Sequence, residues 1–239
     1  MQQYFGVKKD GKKLILNSED FNHIKNVMRM KENDKVIVNY DGISYICSLN
    51  KDLLSCEIDS VFKQSNDKGS IIAYVPLLQE EKMSLVLQKG TELGVDEFVV
   101  VYFEHCKFKL PKKDYEKKLL RWNKIVKEAS EQSYRVNKVI VREIIGIDQI
   151  VLNTNVNILC SLVKNNVKHI SDILNTKNCN DTISLVFGPE GGFTNKEEEK
   201  LISKGFIRTS LGPNVLRTET VIMFIMSIVM YLKGSANDE

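Results

Sequence analysis

The segment from Ile183 to Thr220 constrains this chain more than any other. An apolar run of strand length, Ile183 to Phe187, passes directly into Gly188-Pro189-Glu190-Gly191-Gly192, whose glycines reach φ > 0 or let a ligand lie against bare backbone. Thr194 and Glu197 then stand in the S/T-x-x-E arrangement, so a helix is predicted to start there and to stop at Gly205. The same grammar recurs at once. Phe206 to Leu211 reads as a short strand, Gly212-Pro213-Asn214 as a tight loop, and Arg217-Thr218-Glu219-Thr220 as the mouth of a last helix. A glycine loop between the carboxyl end of a strand and the start of a helix is where open α/β sheets bind ligands. Either loop alone is well explained as an ordinary turn; the pair, with Glu190, Arg217 and Glu219 close in sequence, points to a site. The chain has no G-x-x-x-x-G-K-[ST] and no G-x-G-x-x-G, which argues against nucleoside-triphosphate and dinucleotide cradles.

The chain in front of this segment divides in two. From Ile71 strands and helices alternate, which predicts a mainly parallel sheet: a strand over Ile71 to Val75, a helix over Glu80 to Leu93 stopped by Gly94, a strand over Phe98 to Phe103, and a buried strand over Val156 to Val163. A helix over Asp114 to Ser133 carries Tyr115, Leu119, Trp122, Val126 and Ala129 on one stripe, with lysines on the other face. Before residue 63 the pattern is β-rich. Lys35 to Tyr40 and Ile43 to Leu49 flank Asp41-Gly42, a strong hairpin signal, and Leu54, Cys56 and Ile58 alternate as one more strand. Ser18 is placed to cap a helix carrying Phe21, Ile24 and Met28. Lys63 to Ser70 has linker composition, so the expected domains are 1–68, a small β-barrel with one helix, and 71–239.

Composition bounds the function classes. With 239 residues and 43% hydrophobic side chains the chain supplies a real core. A formal charge of +3 means that any nucleic-acid surface must come from local clustering. Lys8, Lys9, Lys12, Lys13, Lys25, Arg29, Lys31 and Lys35 are such a cluster, read either as a solvated face or as phosphate contacts. Five scattered cysteines without ligand spacing suggest a reducing compartment and no metal. Met1 to Phe5 lacks a basic start and a long apolar core, so no signal peptide is expected. The apolar run Val221 to Leu232 is short for a membrane span and is read as a helix buried in the domain, in a dimer interface, or in both.

Gly188 to Thr194 with Glu197, followed by Leu211-Gly212-Pro213-Asn214-Val215-Leu216-Arg217-Thr218-Glu219-Thr220, closely resembles the signature of the RsmE-like family of SPOUT methyltransferases. Gln88-Lys89 with Thr91 to Val95, and Arg121-Trp122, Glu128-Ala129, Gln132-Ser133 and Arg135, resemble two further family blocks. His23 to Met30 with Asp41-Gly42 is similar to the pattern of the family's PUA-like RNA-binding domain. Gln3 and His105 stand where arginines are usual, and the proline usually found after Arg135 is absent. The resemblance implies an α/β protein: a PUA-like β-barrel followed by a mainly parallel sheet with SPOUT trefoil-knot topology. It implies a cytoplasmic homodimer that binds S-adenosyl-L-methionine and methylates N3 of a uridine in 16S rRNA or the small ribosomal subunit. It further implies a cofactor site of Leu162, Phe187, Gly188, Glu190, Gly191, Gly192, Leu211, Gly212 and Leu216, and RNA contacts from Arg29, Arg121 and Arg135.

Arg217 is the expected catalytic residue. A guanidinium beside the base binds the uracil carbonyls, stabilises the anion that develops as the imide loses its proton, and keeps its own proton. Holding a phosphate or pairing with Glu219 are the other roles open to it. Glu219 either orients Arg217 or favours the first turn of the last helix. His23, His105 and His169 are poor candidates for a general base. A ribose 2′-O methyltransferase of the same superfamily and a non-catalytic ribosome-assembly module are the alternative functions.

Overall fold

The computed structural model describes residues 1–65, 69–162, 167–174 and 181–235, with side chains described to Leu232. Residues 66–68 of the expected linker, Val163 at the end of an expected strand, and the asparagine-rich stretches 165–166 and 175–178 lie outside the described residues. The chain forms two compact units, Met1–Asn66 with Ser130–Lys138, and Asp67–Ala129 with Val139–Glu239.

The first unit is a closed barrel in the order β1-β2-β5-β4-β3, with β1 Gln3–Asp10, β2 Lys13–Leu16, β3 Lys35–Tyr40, β4 Ile43–Leu49 and β5 Ser55–Gln64. Parallel pairing of β1 with β3 closes it; the other pairs are antiparallel. Asp41 (φ 49°) and Gly42 (φ 72°) are both left-handed, as the β3–β4 hairpin requires. Tyr45, Cys47 and Leu49 face inward against Tyr4, Leu14, Val36 and Val38. Two expectations are corrected here. Lys63 and Gln64 are not linker but the paired end of β5, opposite Ser44 and Ile43. Ser18 caps no helix: a three-residue turn, α1 (Asp20–Asn22), runs into a π-helical turn at His23–Val27, and only Ile24 of the expected apolar stripe is fully buried. Asn17 turns the chain instead, its side-chain oxygen accepting from the Glu19 amide.

Residues 130–138 belong to this unit through backbone carbonyls that need donors. The buried Gln3 amide donates to the carbonyl of Arg135 at 2.8 Å and to that of Ser130 at 3.4 Å, and the Asn39 amide donates to Arg135 at 2.7 Å. The Tyr134 hydroxyl donates to the Met1 carbonyl at 2.8 Å.

The second unit holds a seven-stranded, all-parallel sheet in the order β10-β12-β9-β11-β6-β7-β8. Its elements in chain order are β6 Ile71–Pro76, α2 Glu80–Glu92, β7 Glu97–Tyr102, α3 Tyr115–Gln132, β8 Ile140–Gly146, β9 Val156–Cys160, β10 Lys168–His169, α4 Ile170–Leu174, β11 Ile183–Phe187, α5 Asn195–Ser203, β12 Ile207–Ser210 and α6 Thr218–Ser235. The last turn of α3 is grouped with the barrel unit. Strands β7 and β11 read as continuous apolar runs because helices cover both faces of a parallel sheet. Thr194 caps α5 with Glu197 in a full capping box, and Gly94 and Gly205, both at φ 108°, follow α2 and α5 in the left-handed region.

Helix α2 packs against α6 at Gly90. A Cβ there would lie 2.8 Å from the ring of Phe98 and 3.0 Å from Ile222 Cδ1, so the helix sits closer to β7 and α6 than a side chain permits. Gly90→Val is therefore expected to destabilise the protein by about 1–3 kcal/mol, read as a lower urea midpoint with an unchanged slope. On α6, Val221, Ile222, Ile225, Met226 and Val229 are buried, whereas Phe224, Met230 and Tyr231 are exposed. No described helix is long and apolar enough to cross a membrane.

Candidate functional site

Because every strand of the sheet is parallel, the loops that follow β9, β11 and β12 leave from one edge, and these three strands are neighbours. Leu162 thus shares an edge with the loop 188–194 after β11 and the loop 211–217 after β12. Leu162 and Val215 are exposed at 64% and 76%, and Leu211 and Leu216 are half-buried, so the rim is apolar. Gly192 (φ 71°) and Gly212 (φ 117°) adopt left-handed backbone, and a Cβ on Gly212 would meet nothing within 4 Å. Gly188 packs on the backbone of Gly192, at 3.3 Å from where its own Cβ would be. The Phe187 side chain is 1% exposed and lies in the core, so only its backbone faces the loop.

A second loop, Phe103 to Leu110 after β7, holds the glycine loop in place. Tyr102 closes it, its hydroxyl donating to the Leu110 carbonyl at 2.7 Å and accepting from the Leu110 amide at 2.6 Å; burial pushes this phenol up to about 12. Phe103 meets Phe193 edge to face at 4.9 Å between ring centroids. The buried Glu197 carboxylate does more than close the capping box: one oxygen accepts from the Thr194 amide at 2.9 Å and the other from the Glu104 amide at 2.8 Å, stapling the two loops. His105 stands 3.2 Å through Nδ1 from the Gly192 carbonyl, and its Cβ would be 2.8 Å from a Cβ on Gly191. Glycine at 191 is thus required by the close approach of His105. Glu197→Ala leaves two amides without acceptors and should cost about 1–2 kcal/mol of stability, with a weaker glycine-loop ligand site; thermal unfolding with and without ligand checks both.

Charges gather where α2, the glycine loop and α6 meet. Lys82 Nζ lies 2.5 Å from Glu190 Oε1 and 3.9 Å from Glu219 Oε2. The hydrogen bond to Glu190 raises the Lys82 ammonium, and the same bond holds the Glu190 carboxyl below its ordinary range. Arg217 is exposed and close enough that its charge opposes the raising of Lys82, yet it makes no ion pair among the described residues. On the far side, the buried Glu198 accepts from Ser161 at 2.7 Å and from Arg208 at 2.8 and 2.9 Å, tying the β9 loop to β12.

The expected cofactor residues and Arg217 therefore converge on one edge. Arg121 belongs to the same unit and pairs with Glu80 at 2.8 Å, whereas Arg29 and Arg135 belong to the barrel unit. Arg29 is exposed and left-handed (φ 54°) just past the π-helical turn. Lys82 and Glu198 carried no sequence signal as site residues, each lying in a run of charges that reads as a solvated helix face.

A parallel sheet with paired glycine loops at one edge, and a small closed barrel as a separate unit, are the arrangement of a ligand-binding α/β domain preceded by a small β-barrel domain. A family model described as an RNA methyltransferase domain matches residues 65–230, and one described as an RNA methyltransferase PUA domain matches residues 16–59. The chain is 33% identical over 228 residues to ribosomal RNA small subunit methyltransferase E of Bacillus subtilis, covering 90% of this chain and 89% of that protein. Among solved structures, a Legionella pneumophila methyltransferase with bound cofactor SAM superposes with TM-score 0.85 at 26% identity, covering 97% of this chain and 98% of that one. Ribosomal RNA small subunit methyltransferase E of Neisseria gonorrhoeae, bound to S-adenosyl methionine, superposes with TM-score 0.83 at 26% identity and the same coverage, 97% and 98%. The chain belongs to the RsmE-like family of SPOUT RNA methyltransferases.

Proposed function

We propose that this protein transfers a methyl group from S-adenosyl-L-methionine to N3 of a uridine in the 16S rRNA of the small ribosomal subunit. The observation that carries the reading is an exposed Arg217 without a carboxylate partner among the described residues, set beside two left-handed glycine loops. The residues fit the cofactor: backbone groups of Gly188 to Gly192 and Leu211-Gly212 suit adenine and ribose, and Leu162, Leu211 and Leu216 supply apolar walls. Gly212 leaves open space where a side chain would stand. When bound, the cofactor supplies a methyl group activated by an adjacent sulfonium.

The chain's own groups do the rest. The apolar rim keeps water from the reacting atoms, and the stapled loops hold both partners in line, which alone contributes several kcal/mol. Arg217 faces the uracil carbonyls, where negative charge collects as the N3 proton leaves. Its guanidinium stays charged throughout and acts by electrostatic stabilisation. Arg29, Arg121, Arg135 and the lysines of the barrel unit contact phosphates, which gives affinity without sequence choice. The exposed apolar residues of α6, Phe224, Met230 and Tyr231, support a homodimer formed through that helix. A cytoplasmic enzyme follows from a ribosomal substrate.

Transfer of labelled methyl to purified small subunits from a strain lacking the protein, followed by nucleoside analysis, tests this. The expected product is 3-methyluridine. Label on a ribose 2′-oxygen supports the alternative enzyme, and binding of cofactor and subunit without transfer supports the assembly module.

A further inference from the structure

We infer that Lys82 is a positioning residue that keeps Arg217 available to the substrate by occupying the two carboxylates that would otherwise capture it. The inference rests on the proposed role of Arg217. Three elements far apart in sequence bring their charges together: Lys82 from the first turn of α2, Glu190 from the glycine loop, and Arg217 with Glu219 from the mouth of α6.

A carboxylate within reach of a guanidinium pairs with it unless another cation takes it, because a planar fork matches a carboxylate well, and Glu219 stands two residues from Arg217 at the mouth of α6. Here the other cation is Lys82, at 2.5 Å from Glu190 and 3.9 Å from Glu219. Glu219 is largely covered, at 14% side-chain exposure, so its charge is weakly screened, and the exposed Glu190 is held by its hydrogen bond to Lys82. Arg217, exposed and unpaired among the described residues, is the group left over. The same ammonium fixes Glu190 in a loop whose glycines form the proposed cofactor cradle, so one side chain coordinates the cofactor loop with the position of Arg217.

The test reads Arg217 directly. Phenylglyoxal modification of the folded protein, followed peptide by peptide by mass spectrometry, measures how accessible the Arg217 guanidinium is. In Lys82→Met, and in Lys82→Gln run beside it, Arg217 should pair with Glu219 or Glu190, and its modification should slow about fivefold. Adding Glu219→Gln to Lys82→Met removes one captor and should restore much of the rate. Methyl transfer should follow the same order, with kcat about tenfold lower in Lys82→Met, cofactor affinity changed far less, and partial recovery in the double variant. A melting temperature for each variant confirms that it is folded. Arg217 modified at the parental rate in both single variants overturns the inference, as does a double variant no more reactive than Lys82→Met. If the parent protein moves no methyl, the proposed function fails, while the modification rates still decide whether Lys82 keeps Arg217 free of the neighbouring carboxylates.

Discussion

Arg217→Ala should lower kcat for methyl transfer by about 10²–10³-fold while cofactor binding stays near that of the parent. Arg217 lies on the surface of the loop after β12, and its backbone carbonyl still accepts from the Thr220 and Val221 amides whatever its side chain. Truncation therefore leaves the start of α6 and the glycine loops in place and removes only the guanidinium. The split between kcat and affinity is the informative part. A group acting where charge develops lowers turnover, and a group that holds a phosphate raises KM for RNA with kcat unchanged. Arg217→Lys should recover little, since a point charge does not reproduce the bidentate fork.

The largest effect on stability is expected at Trp122. It is 1% exposed on the inner face of α3, among the largest fully buried side chains of the protein. Trp122→Ala should cost about 3–5 kcal/mol, much of a typical domain's stability, and should show as a large drop in urea midpoint. Trp122→Phe should cost far less than the change in size suggests, because the buried indole N–H has no hydrogen-bond partner among the described residues. The two variants together separate loss of packing from loss of the polar handle.

The segment 183–220 was legible because its instructions are local. A strand, a glycine loop, a capping box and a stop glycine each act within a few residues; β11, α5 and β12 begin and end, and α6 begins, within a residue or two of where those signals fall. The stripe on α3 was legible for the same reason: period and burial coincide at Trp122, Val126 and Ala129. Strands β1 and β2 were hidden because Lys8-Lys9-Asp10-Gly11-Lys12-Lys13 masks a two-stranded turn behind solvent-facing charge, and β8 because Arg142-Glu143 interrupts its apolar residues. Ser18 misled, since a capping side chain is only a local preference and the barrel took a π-helical turn at that place.

The site was readable in its loops and unreadable in its supports. Gly188 to Gly192 and Arg217 announce themselves by residue type. Lys82 follows two glutamates and looks like any lysine on a helix, and its part arises only when α2 and α6 pack side by side. His105, a poor general-base candidate by sequence, is brought by the fold onto Gly191 and Gly192. Gln3, a departure from the family pattern, is buried and spends its amide on the carbonyls of Ser130 and Arg135, contacts separated by more than a hundred residues in sequence.

The central claim is the atom that receives the methyl group. The most direct measurement is mass-spectrometric nucleoside analysis of 16S rRNA from cells with and without this protein, complemented by the parent and by Arg217→Ala. 3-Methyluridine should disappear without the protein, return with the parent, and stay absent or scarce with Arg217→Ala. Unchanged 3-methyluridine in cells lacking the protein, or the loss of a ribose methyl in its place, would contradict it.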